Sequence, residues 1–154
     1  MSTRTPTEAE LFGRLFVLSQ HLNRQADAAL QAYGITNRQW LLLAVLARAF
    51  PGDAPTLTEA ADVYGTSRQN VKQVAQQLAA RGFVELLSDP RDRRTTRIAL
   101  APRAAELDEP DAVAEQSAFL AQTFAGLTDD ELGTLNGLIG RCLTPLTDLP
   151  KEPS

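Results

Sequence analysis

Residues 66–84 read TSRQNVKQVAQQLAARGFV, a stretch with the period of an amphipathic helix and a signal for its start. Thr66 and Gln69 stand three apart, the spacing of a capping box, in which each side chain satisfies the other residue's free backbone amide. Val71, Val74, Ala75 and Leu78 fall at i, i+3, i+4 and i+7 and form one apolar stripe. The opposite face carries Ser67, Arg68, Gln69, Asn70, Lys72, Gln73, Gln76 and Gln77, and no carboxylate occurs between Ser67 and Arg81. A merely solvated helix face usually mixes Glu with Lys, so this composition asks for another explanation.

The residues just upstream supply a partner. PGDAP, residues 51–55, reads as a turn, Thr56 and Glu59 repeat the box spacing, and LTEAADVY follows as a short helix that Gly65 ends. Two helices joined by a few residues containing glycine are a helix-turn-helix. Just downstream, FVELL (residues 83–87) and TTRIAL (95–100) are rich in strand formers, and SDPRDRR between them is turn-like. The pair predicts a hairpin with a charged tip.

Farther out the chain is helical at both ends. Thr7 and Glu10 predict the start of a first helix whose Leu11, Leu15, Leu18 and Leu22 recur at steps of four, three and four, with Tyr33 and Gly34 ending it after about Ala32. Phe12, Phe16 and Val17 widen its apolar surface beyond one face, as in a helix that packs against both its own domain and a partner. Thr36 and Gln39 open the most apolar helix, through Trp40, Leu41, Leu42, Leu43, Val45 and Leu46 up to Pro51. Beyond Ala101, Pro102 and Pro110 interrupt the chain, and a helix re-forms near Asp111. Thr128 and Glu131 start a last helix bearing Leu132, Leu135, Leu138, Ile139 and Leu143, expected to stop before Pro145 and a polar tail.

Composition bounds the function. The chain has 154 residues, 44% hydrophobic and 22% charged, which suits one soluble folding unit and excludes a disordered or fibrous body. No apolar run reaches the roughly 20 residues of a membrane span, and the N-terminus lacks the apolar stretch of a secretory signal, so a cytoplasmic protein is expected. One cysteine and one histidine cannot build a structural zinc site or an intramolecular disulfide. The net charge of −4 argues at first against a nucleic-acid partner, but the charge is uneven. From Asp62 to Leu100 seven basic residues face four acidic ones, leaving eight against fifteen elsewhere. An acidic body with one basic face keeps non-specific association weak while offering a local docking surface.

That face has the chemistry for reading duplex DNA. Amides pair in two places with adenine, Arg with guanine, and Ser or Lys with phosphate, so Ser67, Arg68, Gln69, Asn70, Lys72, Gln73 and Gln77 are the expected contacts in a major groove. Arg91, Arg93 and Arg94 at the hairpin tip suit a narrow, negative minor groove. Asp92 among them would repel phosphate, and its expected role is to orient Arg94 by a charge-assisted hydrogen bond. The chain shows no glycine-rich phosphate loop, nucleophile elbow or partner for His21, so no enzyme, cofactor or metal is expected. Cys142, among Leu138, Ile139 and Leu143, reads as packed and inert.

The order of long helix, helix, helix-turn-helix, wing and two terminal helices resembles the MarR family of bacterial regulators over nearly the whole chain. SRQNVKQVAQQLAARGFVE is similar to the family's recognition helix running into its first wing strand, and DPRDRRTTRIAL to its wing, with an Asp-x-Arg element at Asp92 and Arg94. The chain departs from the family at ALAPRAAELDEP, where a Leu-Thr and glycine-containing helix start is usual. The resemblance implies a mainly α winged helix-turn-helix with a small β-hairpin wing: residues 1–34 and 102–154 for dimerisation, 35–101 for DNA. It also implies a homodimer, with a small aromatic effector near His21. The expectation is a sequence-specific transcriptional regulator, read here as a repressor. The competing reading is a winged-helix module for protein interaction without specific DNA binding, which the acidic total charge keeps open.

Overall fold

The computed structural model describes residues 4–147. In chain order the elements are α1 (Arg4–Leu30), a 3-10 turn (Gln31–Tyr33), α2 (Asn37–Ala49), α3 (Leu57–Tyr64), α4 (Arg68–Ala80), β1 (Val84–Ser88), β2 (Thr96–Leu100), a 3-10 helix (Pro102–Asp108), α5 (Pro110–Thr123) and α6 (Asp129–Thr147). This is the expected mainly helical fold with one two-stranded antiparallel hairpin. The chain divides into two compact units, with the boundary between Leu41 and Leu42 inside α2.

In the first unit α1 begins earlier than the Thr7 signal predicts, leaving Thr7 inside the helix. Pro6 permits this: within the first turn its missing N–H has no intrahelical partner to lose. Ion pairs Arg4–Glu8 at 2.5 Å and Glu10–Arg14 at 2.7 Å lie along its exposed surface. After Leu30 the helix tightens into the 3-10 turn, and Gly34, at φ 70°, takes the left-handed conformation that only glycine adopts cheaply. The Thr36–Gln39 box is present, with the Gln39 amide on Thr36 Oγ1 at 3.3 Å and the Thr36 amide on Gln39 Oε1 at 3.0 Å. Asn37 fixes the start of α2 to α1, its amide on Asp27 and its side chain on Asn23.

The second unit holds the larger core. Val71, Ala75 and Leu78 of α4 are buried together with Leu42 and Leu46 of α2, Leu57 and Ala60 of α3, and Phe83, Val84 and Ile98 of the hairpin. Burying such aliphatic side chains is worth about 1.5–3 kcal/mol each, which is what holds a short helix like α3 in place. The box Thr56–Glu59 caps α3 as expected, and Gly65 at φ 83° ends it. The cap of α4 is one residue later than predicted: Ser67 Oγ, not Thr66, accepts the Asn70 amide at 3.2 Å. Thr66 Oγ1 instead accepts Asn70 Nδ2 at 3.0 Å.

In the hairpin Val84 pairs with Leu100, Leu86 with Ile98 and Ser88 with Thr96. Its second strand is also tied to the loop before α3, through the Ile98 amide on the Pro55 carbonyl at 2.9 Å and a bridge between Thr56 and Arg97. The proline-broken segment after it is the 3-10 helix, followed by α5 with Pro110 at its first turn. Arg103 lies over the Phe83 ring at 4.5 Å and donates to the Arg81 carbonyl. The Thr128–Glu131 box opens α6, with bonds of 3.0 and 3.2 Å. Contrary to expectation α6 passes through Pro145 to Thr147. Proline so close to the end frees the carbonyl of Arg141 on an exposed turn, where water can take it. The polar tail expected after it, from residue 148 on, lies outside the described residues.

Candidate nucleic-acid interface

Two sets of side chains in the second unit match the expected contact chemistry, and each is positioned by local structure. On α4, the buried stripe fixes the helix's rotation, so Arg68, Gln69, Lys72, Gln73 and Gln77 are all exposed. Ser67 and Asn70 are exposed as well but are engaged locally: the Ser67 hydroxyl holds the Asn70 amide, and the Asn70 side chain reaches back to Thr66. A cap at this position leaves the first-turn amides of α4 pointing outward, an arrangement that favours an anion such as phosphate.

The second set is the wing turn, residues 89–95. The Asp89 amide bonds to the Thr95 carbonyl and the Thr95 amide to the Asp92 carbonyl, both at 2.9 Å, closing the loop on itself. Arg91, Arg93 and Arg94 are exposed on it. Asp92 does act on Arg94, though not as expected: Oδ1 accepts the Arg94 backbone amide at 3.0 Å and Oδ2 the Thr95 hydroxyl at 3.2 Å, while no ion pair joins Asp92 to the Arg94 guanidinium among the described residues. The carboxylate shapes the turn and leaves the guanidinium groups for something else.

Sequence reasoning missed Asp89 and Arg97. Asp89 is almost fully buried, accepting the Arg91 amide at 2.9 Å on Oδ1 and Arg97 Nε at 3.0 Å on Oδ2. The Arg91 amide first, and the Arg97 guanidinium next, hold its carboxyl below the usual carboxylate range. The signal was an arginine set between strand formers across from an aspartate just before a turn, but it becomes legible only once the register, with Leu87 opposite Arg97, is known.

His21 belongs to the first unit, whereas both sets belong to the second. It is exposed on α1, where it lines an open groove of about 400 Å³ with Val17, Gln20, Asn23, Arg24 and Asp27, all from that one helix. Cys142, expected to be packed, is exposed. Its neighbours Leu138, Ile139 and Leu143 on α6 are exposed with it.

The sequence profile of the MarR family matches residues 33–95, from the turn before α2 to the end of the wing turn. The winged-helix segment of this chain is that of the MarR family. A mutant MarR from E. coli complexed with operator DNA superposes on the chain with a TM-score of 0.76, covering 92% of this chain and 99% of that one at 22% identity, a likeness of fold. The apo form of wild-type E. coli MarR is 25% identical, with a TM-score of 0.65 over 85% of this chain and 95% of its own. Among characterised relatives, the transcriptional activatory protein BadR of Rhodopseudomonas palustris is 29% identical over 90 residues, 58% of this chain. The match spans about half of that relative's length, 51%. Among the described residues, no helix of this chain is long and apolar enough to cross a membrane.

Proposed function

We propose that the chain is a transcriptional regulator that binds specific double-stranded DNA as a homodimer. The observation that carries this is the exposed, carboxylate-free face of α4, with Arg68, Gln69, Lys72 and Gln73, in the same unit as a turn presenting Arg91, Arg93 and Arg94. The first set has the donors and acceptors of base edges, and the second has the charge for phosphates and the minor groove. The operator DNA bound to the E. coli relative supports the same partner. Regulation rather than catalysis is the reading, as for the relative named an activatory protein.

Residues 35–101 form the DNA-binding lobe in this proposal, and residues 1–34 and 102–154 serve dimerisation. Support for the dimer comes from apolar side chains that a lone chain leaves in water: Phe12 and Phe16 of α1, Leu120 of α5, and Leu138, Leu143 and Leu146 of α6. A two-fold dimer sets two α4 helices in successive major grooves, so half-sites lie about 10–10.5 base pairs apart. Where the operator overlaps a promoter, occupancy excludes polymerase and represses. A small aromatic effector bound beside His21 relieves repression only if it prefers the lobe spacing that does not fit DNA. Nuclease footprinting on the chain's own promoter region tests the proposal. Protection of a pseudo-palindrome with that spacing is expected, and absence of protection at saturating protein contradicts it.

A further inference from the structure

Arg97 spends its guanidinium inside the protein. Nε and Nη2 reach Asp89 Oδ2 at 3.0 and 2.9 Å, and Nη1 donates to the Ala54 carbonyl at 3.0 Å and lies 3.9 Å from Glu59 Oε1. These partners come from three separate places: the first residue of the wing turn, the loop before α3, and the first turn of α3. Asp89 extends the link, because its other oxygen holds the Arg91 amide. Of the hairpin's four arginines, Arg97 is the one with an ion pair among the described residues.

A two-stranded hairpin is marginal by itself, so its direction must be set from outside. The hydrogen bond from Ile98 to Pro55 and the Thr56–Arg97 bridge tie one edge of β2, but both lie beyond the turn. Arg97 carries the tie from that edge to Asp89, where the turn begins. The fork of a guanidinium suits three directional acceptors, and a lysine ammonium on the same stem cannot match all of them.

We infer that Arg97 is a positioning residue for DNA binding: clamped on Asp89, Ala54 and Glu59, it fixes the direction in which the turn carries Arg91, Arg93 and Arg94, without itself touching DNA. The inference rests on the DNA-binding reading above. It separates two roles among arginines that look alike in sequence, contact at the tip and orientation at the base.

The test pairs two measurements on the full chain, using Arg97→Met, the charge-keeping Arg97→Lys, and a tip variant with Arg91, Arg93 and Arg94 all changed to Ala. Without DNA, hydrogen exchange at the Asp89 and Thr95 amides, which close the turn, should speed up by about tenfold or more in Arg97→Met, with exchange in α4 unchanged. With a duplex from the chain's own promoter region, Arg97→Met should weaken binding at least about fivefold in the wild-type background and by less than about twofold in the tip variant, since a residue acting through the tip has nothing left to position. Arg97→Lys should not restore wild-type affinity. In a Gln73→Ala background the loss should remain whole. Unchanged exchange in Arg97→Met overturns the clamp, whatever the protein does with DNA. Unchanged affinity, or an equal loss in the tip variant, overturns the positioning role. Failure of the wild-type chain to bind the duplex at low salt overturns the DNA reading itself and, with it, the role assigned to Arg97.

Discussion

Gln73 and Arg94 differ in what a loss at each should look like. Gln73 sits mid-helix on the exposed face of α4, where an amide discriminates between bases by about 1–3 kcal/mol. Gln73→Ala should therefore flatten sequence preference while leaving random-duplex binding nearly intact. Arg94→Ala should weaken binding to all sequences and lower the salt slope by about one charge. Competition titrations with operator and random duplex check both, and a uniform loss in Gln73→Ala contradicts the assignment. Asp89 gives a prediction in pH. Its carboxyl is more acidic folded than the ordinary value of about 3.9, so it adds stability at every pH above that value, and the addition drains away as pH falls through the lower folded value. Asp89→Asn should thus unfold at lower temperature than wild type near neutrality, with the gap narrowing below about pH 4. A gap independent of pH contradicts the pairing. Asp89 was invisible in the sequence because its role depends on a strand register, and register is set by the packing of Val84 and Ile98 rather than by local spacing.

At the scale of the element, capping was the most legible signal and also the source of two errors, at Thr7, which lies inside α1, and at Thr66. The boxes at Thr36, Thr56 and Thr128 form as their spacing predicts. At α4 two adjacent hydroxyls compete, and burial of Val71, Ala75 and Leu78 sets the rotation that makes Ser67 the cap. Ser67→Ala should cost about 0.5–2 kcal/mol in chemical denaturation, and Thr66→Ala less, since it loses only an exposed bond to Asn70. The reverse order contradicts the assigned cap. The helices that end the chain were read less well, because a rule about proline inside helices assumes a buried ladder. Pro145 sits on an exposed last turn where the broken bond is cheap. The candidate site was legible where its residues are local in sequence, on α4 and at the wing tip, and illegible where distant segments meet, at Ala54, Glu59, Asp89 and Arg97.

For the whole molecule, the apolar surfaces of α1, α5 and α6 need a cover, and the proposal supplies it with a second copy. Phe16, 58% exposed and stacked edge-on against Phe12 at 4.9 Å between ring centres, is a good probe. A charge on such a desolvated surface is costly only if the surface is buried in the assembly. Wild type should sediment as a dimer and Phe16→Glu as a folded monomer, and an unchanged dimer in the variant would place the interface elsewhere. The acidic body and the local excess of positive charge from Asp62 to Leu100 make the central claim a matter of salt. Fluorescence anisotropy of the purified chain with a promoter duplex and a random duplex, each across a salt series, tests it most directly. Tighter binding to the promoter duplex is expected, with an affinity that falls steeply with added salt, the mark of phosphate neutralisation by arginines and lysine. Salt-insensitive binding, or none to either duplex at low salt, would contradict it and favour a winged helix that docks on protein.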